Sequence, residues 1–434
     1  MKATLYDYQK NIVDEIIKKG DPSVALFMDM GTGKTLTSLG LFEEYVKLGC
    51  VDKLLVVCLK NKIQDWKDEI KEQWFDFTNY EVINFESIWR TKRAEYFKNF
   101  VDERTFIIID ESQKIKDYKS KVSQFLISIK NQTRYKVLLT GTPQNQQYID
   151  YYPQLKFLDS ETYDIDRKTF MNRYVLQVLD SARGRYFYKI AGYAHVDDLK
   201  QGIIDKAYYH TYTSDYDEPR EIYENIEHSK DSIKFQKDKV WIDPEGIKPD
   251  VLGDTEMSLR IYMRQSCSGF IRDIPIANPK LEWLENFLEI NPERVVIFTN
   301  FVTEIEMISK LCEKLKRPYG VYYGAKKDLQ GFKNNENGVA IVNYQSGATG
   351  INDLCIAHYG IYYSPTEDYI LFAQAKARLD RIGQTKQPVF YYLVTKGSVE
   401  GAIYRSLKRG ESFDASIFCS WLEENNNGIR KSDC

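Results

Sequence analysis

Residues 24–35 read VALFMDMGTGKT, and the reading of this stretch decides the fold. The apolar run Val24 to Phe27 predicts a buried strand. The residues after Thr35 carry an apolar stripe at helical spacing (Leu36, Leu39, Phe42, Val46) that ends at Gly49. Between strand and helix, Met30, Gly31, Thr32 and Gly33 make a turn tight enough for backbone N–H groups to surround phosphate oxygens, with the positive end of the new helix aimed at the same charge. Lys34 is placed to reach the outer phosphates, and the hydroxyl of Thr35 to hold a magnesium ion. Met28 stands where the full motif has a glycine, so only the inner half of G-x-x-x-x-G-K-[ST] is present. Taken alone, the loop is also compatible with a glycine-rich turn ahead of a helix. The partners supplied by the rest of the chain decide between the two.

Composition narrows the class. A chain of 434 residues, 43% hydrophobic and 14% aromatic, is long enough for two or three packed domains. No apolar run reaches membrane-spanning length and the opening residues MKATLYDYQK lack the apolar core of a signal peptide, so a soluble, cytoplasmic protein is expected. Seven scattered cysteines without a C-x-x-C pair argue against a disulfide framework and a zinc site. A net charge of −3 gives no global basic excess, so any nucleic-acid contact must come from local patches.

The first half alternates strand and helix. Residues 5–18 predict a helix with Gln9 near its start, residues 53–59 (KLLVVCL) a buried strand, and Ile63, Trp66, Ile70 and Trp74 one face of the following helix. This alternation predicts a parallel sheet covered on both sides. Thr105 to Asp110 (TFIIID) is a further buried strand, and it delivers Asp110 and Glu111 to the carboxyl edge where the glycine loop also lies. One carboxylate there holds magnesium together with Thr35, and the other activates water for attack on a γ-phosphate. The plain alternative is an acidic helix start favoured by the helix dipole. A strand from Tyr135 to Leu139 then ends in Thr140, Gly141 and Thr142 at the same edge.

The order DMGTGKT, CLKNKIQDW, DESQKIKDYKSK, LLTGTP resembles the superfamily 2 helicases and translocases, and within them the Swi/Snf chromatin-remodeller type of DNA-dependent ATPase. The resemblance implies ATP and Mg2+ as cofactors, Gln9 as adenine-reading residue, and the Thr140, Gly141, Thr142 turn as a coupling element. It also implies DNA contacts from Lys60, Asn61, Lys114 and Lys116. Gln113 stands where the family usually has histidine, which implies altered coupling and retained hydrolysis.

From about residue 155 to 255 the alternation fades, and residues 171–255 read as a mainly helical insertion that starts near FMNRY; Tyr208, Tyr209 and His210 replace the family's paired arginines. Residues 256–279 resemble a connector. Alternation resumes in residues 280–410, with strands expected at 294–301, 320–323, 338–344, 359–363 and 389–395, and no second phosphate loop. Thr299 and Asn300 are further candidate DNA contacts in this lobe. SGATGIN (Gly350, Asn352) is a candidate ATP contact, and QAKARLDRIGQ places Arg378 and Arg381 three apart, on one side of a helix, to neutralise γ-phosphate charge. Residues 411–434 form a tail whose apolar patch, 417–422, docks before the chain frays.

The expectation is therefore an α/β protein of two RecA-like lobes, residues 1–170 and 280–410, each a mainly parallel sheet with helices on both faces. Its function is that of a monomeric, ATP-dependent DNA translocase on duplex DNA, with ATP between the lobes. A strand-separating helicase and an ATP-gated clamp with slow hydrolysis stay open, RNA unwinding is less favoured, and the usage of Lys, Asn, Ile and Tyr hints at an AT-rich bacterial or phage genome.

Overall fold

The computed structural model describes residues 1–74, 76–141, 147–158, 164–182, 185–211, 216–241, 251–253, 255–272, 274–324, 326–347 and 353–425. The chain divides into two compact lobes, residues 1–212 and 213–434.

In the first lobe the order is α1 (Asp7–Lys19), β1 (Ser23–Met28), α2 (Lys34–Lys47), β2 (Lys53–Cys58), α3 (Ile63–Gln73), β3 (Tyr80–Asn84), α4 (Thr91–Phe100), β4 (Thr105–Asp110), α5 (Lys121–Ile129), β5 (Lys136–Thr140), α6 (Tyr148–Leu158), α7 (Arg167–Tyr174), β6 (Val175–Ala182), β7 (Arg185–Tyr193), α8 (Val196–Lys206) and β8 (Ala207–His210). One sheet, β3-β2-β4-β5-β1-β8, is parallel throughout. Side chains alternate across a strand, so Val24, Leu26, Phe106 and Ile108 enter one core with Ile16 of α1 and Phe42 of α2, whereas Ala25, Phe27, Ile107 and Ile109 enter the other with Leu126 of α5 and Leu155 of α6. Burial on both faces is why these strands read as unbroken apolar runs.

The second lobe opens with β9 (Arg220–Ile226), α9 (Lys230–Asp238), the short pair β10 (Val240–Trp241) and β11 (Val251–Leu252), α10 (Glu256–Cys267), the short pair β12 (Phe270–Ile271) and β13 (Ile274–Pro275), and α11 (Pro279–Ile290). It continues through β14 (Val295–Thr299), α12 (Val302–Lys314), β15 (Tyr319–Tyr323), β16 (Lys326–Asp328), α13 (Gln330–Lys333), β17 (Val339–Asn343), α14 (Tyr344–Gly347), β18 (Tyr359–Tyr362), α15 (Tyr369–Lys376), β19 (Val389–Thr395), α16 (Val399–Lys408) and α17 (Ala415–Asn425). Its sheet runs β16-β15-β17-β14-β18-β19-β9, with β16 the one antiparallel member. Two RecA-like lobes of mainly parallel sheet are thus present, as expected. Among the described residues no helix is long and apolar enough to cross a membrane.

The expectation of a mainly helical insertion over 171–255 is corrected. The segment holds the β6–β7 hairpin, and its other strands extend both sheets: β8 pairs with β1 and β9 with β19. The physical reason is that β8 and β9 satisfy their backbone groups on sheet edges far away in sequence, which a local reading of polar, tyrosine-rich residues does not reveal. In the tail, Phe418, Trp421 and Leu422 of α17 are buried in the core of the second lobe, so the apolar patch docks; residues 426–434 lie outside the described residues.

Candidate nucleotide site

The carboxyl ends of β1, β4, β5 and β8 bring the sequence-predicted residues of the first lobe together. Gly31 and Gly33 take positive φ values of 81° and 74°, a left-handed geometry that a side chain resists. Gly33 is the N-cap of α2, and no side chain caps that helix start. The first N–H groups of a helix have no partner within it, and this positive helix end lies at the glycine loop. The Lys34 ammonium donates to the carbonyls of Met28 and Asp29, both at 2.9 Å. Thr32 is fully buried and its hydroxyl donates to Asp29 O at 2.7 Å, which closes the loop on itself. The Lys34 ammonium thus stands over the turn, with Thr35 in the first turn of the helix beside it.

Gln9 lies beneath. Its amide nitrogen donates to Thr32 O at 3.1 Å and Gly33 O at 3.3 Å, and its oxygen accepts from Tyr6 N at 2.9 Å. The Tyr8 hydroxyl also donates to Thr32 O, at 2.7 Å. The Tyr8 ring stacks on His210 at 3.8 Å between centroids, while Asp29 N donates to His210 O at 2.9 Å. The segment Tyr208, Tyr209, His210, read from sequence only as a place where arginines are missing, is thus the strand that flanks the phosphate loop.

On β4, Asp110 accepts from the Trp66 indole at 3.0 Å. Sequence reasoning placed Trp66 only on a buried helix face; its position in CLKNKIQDW was the available signal. Glu111 follows in a left-handed conformation, φ 57° and ψ 56°, unusual for a residue with a Cβ and frequent where a side chain must be aimed at a site. Burial, and next the negative charge of Asp110, raise its pKa above the usual carboxylate range, opposed by the hydrogen bond from Gln113 and the charges of Lys34 and Lys62. The Gln113 amide donates to Glu111 at 2.5 Å, while its own carbonyl oxygen is buried without a hydrogen-bond partner among the described residues. Gln113 therefore faces the candidate base directly. Ser112 next to it donates to Gln154 of α6 at 2.9 Å, a tie that the sequence did not suggest.

Thr140 at the end of β5 is buried. Gly141 lies so close to the loop that a Cβ there would meet Met30 Cγ at 2.7 Å and Lys34 Nζ at 3.2 Å. The turn after β5 and the glycine loop are in contact; Thr142 lies outside the described residues. Among those residues no group of three or more His, Cys, Asp or Glu could hold a metal. The oxygen donors Thr35 and Asp110 fit the other kind of site, a magnesium ion held by one carboxylate together with phosphates and water.

The candidate DNA contacts divide. Lys60 and Asn61, on a 3-10 turn after β2, and Lys114 and Lys116 after β4 are exposed near the carboxyl edge of the first sheet. Thr299 is corrected: it is fully buried, its hydroxyl directed at Val342 O, so it cannot meet a backbone phosphate. Asn300 is half-buried and its amide donates to Pro365 O. A second correction concerns Arg378 and Arg381. The helix α15 ends at Lys376, so both arginines sit on the following turns instead of a helix face. Gly383, at φ 99°, and Gln384, which donates to Ala357 O at 2.8 Å, hold that turn. Gly350 and Asn352 lie outside the described residues.

Two protein families match parts of this chain. Residues 76–239 match the SNF2-related domain, and residues 2–83 match the family described as type III restriction enzyme, res subunit. The chain is similar to the chromatin remodeling factor mit1 of Schizosaccharomyces pombe, 24% identical over 74% of this chain and 24% of that protein. An uncharacterized ATP-dependent helicase of Mycoplasma genitalium is 23% identical over 86% of this chain and 38% of its own length. The RNA polymerase-associated protein RapA of Haemophilus influenzae is 21% identical over 94% and 47%. Across these three relatives the chain spans 24 to 47% of their length. Among solved structures, the SWI2/SNF2 ATPase core of Sulfolobus solfataricus in complex with dsDNA matches with a TM-score of 0.43 and 19% identity, over 98% of this chain and 94% of that one.

With its glycine loop, paired acids and the turn at Gly141 on one sheet edge and its matches to these two families, the chain is an ATP-hydrolysing enzyme. Its similarity is to the SNF2-related family and to relatives that include chromatin remodeling factors.

Proposed function

We propose that this chain is a DNA-stimulated ATPase that moves along duplex DNA. The observation that supports the reading most is the junction of Gly141 with Met30 and Lys34, because it joins the phosphate loop to the turn expected to couple hydrolysis to movement. In this mechanism the N–H groups at the start of α2 and the Lys34 ammonium bind the β- and γ-phosphates of ATP. To do so Lys34 exchanges its carbonyl partners for phosphate oxygens. Thr35 and Asp110 would hold magnesium, which supplies charge neutralisation on the phosphates. Glu111 accepts the proton of the attacking water, and Gln113, bonded to Glu111, aligns that carboxylate. Arg378 and Arg381 act on the rate by neutralising charge in the transition state. Lys60, Asn61, Lys114 and Lys116 track the phosphate backbone, so stimulation by DNA should be independent of sequence and fall steeply with salt.

Steady-state ATP hydrolysis with duplex DNA, single-stranded DNA, RNA or no nucleic acid tests this reading; duplex DNA should stimulate most. Equal, slow hydrolysis in all four conditions would point to the clamp. One observation favours a second reading, strand separation. The β6–β7 hairpin carries exposed Leu176, Val178, Leu179 and Tyr188, the last two 60% and 70% exposed and paired across the strands. Apolar side chains of this kind can wedge between bases. Triplex displacement measured beside fork unwinding separates the two: displacement with little unwinding supports duplex tracking, and efficient unwinding without displacement supports the wedge.

A further inference from the structure

Arg378 and Arg381 stand on turns that no helix continues to hold. The helix α15 ends at Lys376, and the backbone then closes in short steps: Arg378 N donates to Ala375 O at 3.2 Å, Leu379 N to Lys376 O at 3.1 Å and Gln384 N to Arg381 O at 3.0 Å. Where such a turn aims its side chains depends on what fastens it from outside. One fastening is Leu379, fully buried in the core of the lobe. Another is Asp380, which lies between the two arginines: its half-buried carboxylate accepts from the Tyr216 hydroxyl at 2.9 Å.

Tyr216 opens a segment laid along the arginine-bearing stretch. It is among the first residues of the second lobe, which begins at Thr213. Pro219 keeps the residue before it extended and has no N–H to donate, so the segment runs directly into β9. On the way Glu218 O accepts from the Gln387 amide at 2.8 Å, and Arg220 N donates to Pro388 O at 2.9 Å. Glu221 pairs with Lys376, the last residue of α15, and accepts from the Tyr392 hydroxyl at 3.2 Å. From there β9 and β19 pair in parallel, Arg220 with Val389 through to Ile226 with Thr395. The segment therefore grips the stretch before the arginines at Lys376, between them at Asp380 and after them at Gln387 and Pro388. Burial raises the pKa of Asp380, opposed by the hydrogen bond from Tyr216 and the charge of Lys376.

We infer that the segment 216–221 orients the turn that carries Arg378 and Arg381, with Tyr216 and Asp380 as positioning residues for hydrolysis. This rests on reading the two arginines as groups that raise the rate. Breaking the Tyr216–Asp380 bond loosens the turn without touching the phosphate loop, so the rate should change and the affinity should not.

The test is steady-state ATP hydrolysis by the full chain with duplex DNA, with thermal melting of each variant beside it. Misplacing a group by 1 Å can cost about 100-fold, so Tyr216→Phe, which removes only the hydroxyl, should lower kcat by about 10-fold. KM should stay within about twofold, the mark of an interaction used in the transition state. Asp380→Ala should match it, whereas Asp380→Asn, which keeps an oxygen for the hydroxyl, should restore kcat to within about threefold of wild type. Because both residues act through one bond, Tyr216→Phe combined with Asp380→Ala should cost no more than the larger single loss. Losses that multiply overturn the inference, as does a Tyr216→Phe variant that raises KM by the factor by which kcat falls. Wild-type kcat in Tyr216→Phe, with a large loss in Arg378→Ala or Arg381→Ala, overturns the inference and leaves the arginines standing. Wild-type kcat in both arginine variants removes the reading beneath it and the inference too.

Discussion

The turn from β1 into α2 in the first lobe and the turn from β14 into α12 in the second each lead from a buried parallel strand into a helix, yet they treat an anion in opposite ways. In the first lobe, Gly31 and Gly33 at positive φ leave the start of α2 without a side-chain cap. In the second, the buried carboxylate of Glu304 fills the corresponding place. It accepts from Asn300 N at 2.8 Å, Phe301 N at 3.1 Å and the Ser364 hydroxyl at 2.9 Å. The second lobe has in effect supplied its own anion, and burial raises the pKa of Glu304 even though these donors oppose the shift. A shared strand-to-helix connection therefore does not carry shared chemistry. A helix start binds phosphate only if the chain leaves its N–H groups unused.

The strongest way to break this contrast is at the base. Glu111→Gln should keep nucleotide affinity and lower kcat by about 10⁴-fold, the upper range for a general base, whereas Lys34→Ala should weaken affinity itself. Turnover near wild type in Glu111→Gln removes the assignment. Arg378→Ala or Arg381→Ala comes next, with an expected loss of about 10³-fold in kcat and little change in KM. A change in KM alone would make the second lobe a binding element without a catalytic part.

The acid limb of the rate profile sharpens the picture of the first lobe. Glu111 must be a carboxylate to accept a proton, so turnover is present above its pKa and lost as pH falls through it. Because burial and Asp110 raise that pKa, the limb should lie at higher pH than an ordinary glutamate, near 4.3, would give. Gln113→Leu removes a lowering influence and should move the limb further up; a downward move would mean that Gln113 does not act on Glu111. The smallest effect on nucleotide is expected from Glu304→Ala. It should leave nucleotide affinity within about twofold and lower stability by about 2–3 kcal/mol, since buried donors lose their acceptor, as read by thermal or urea unfolding. Loss of nucleotide affinity with unchanged stability would show that the second turn is not a closed structural cap.

How far the sequence was legible depends on whether a residue's role is local. The loop from Met30 to Thr35, the acids on β4 and the strands on either side were readable because a buried parallel strand is an apolar run and a phosphate loop is a contiguous motif. Thr299 was misread because its hydroxyl is taken by Val342 O on a neighbouring strand, and the two arginines were placed on a helix because R-x-x-R has helical spacing whether or not the helix continues. The tyrosine-rich stretch around His210 carried no strong period, and its pairing with β1 comes from an open sheet edge 180 residues earlier in the chain, on the order of a whole domain length.

Sequence alone determined the alternation of strand and helix in the first 140 residues and the places of the glycine loop and the paired acids within it, because each rests on neighbours within one turn or one strand. Tertiary structure alone decided that Gln9 supports the loop, that Tyr8 and His210 stack beside it, that Gln113 faces Glu111 and that Glu304 closes the matching turn of the second lobe. Each of these is a choice of hydrogen-bond or ring partner among chemically similar candidates, and such a choice is made only when the sheet brings distant segments to one edge and burial makes an unpaired group costly.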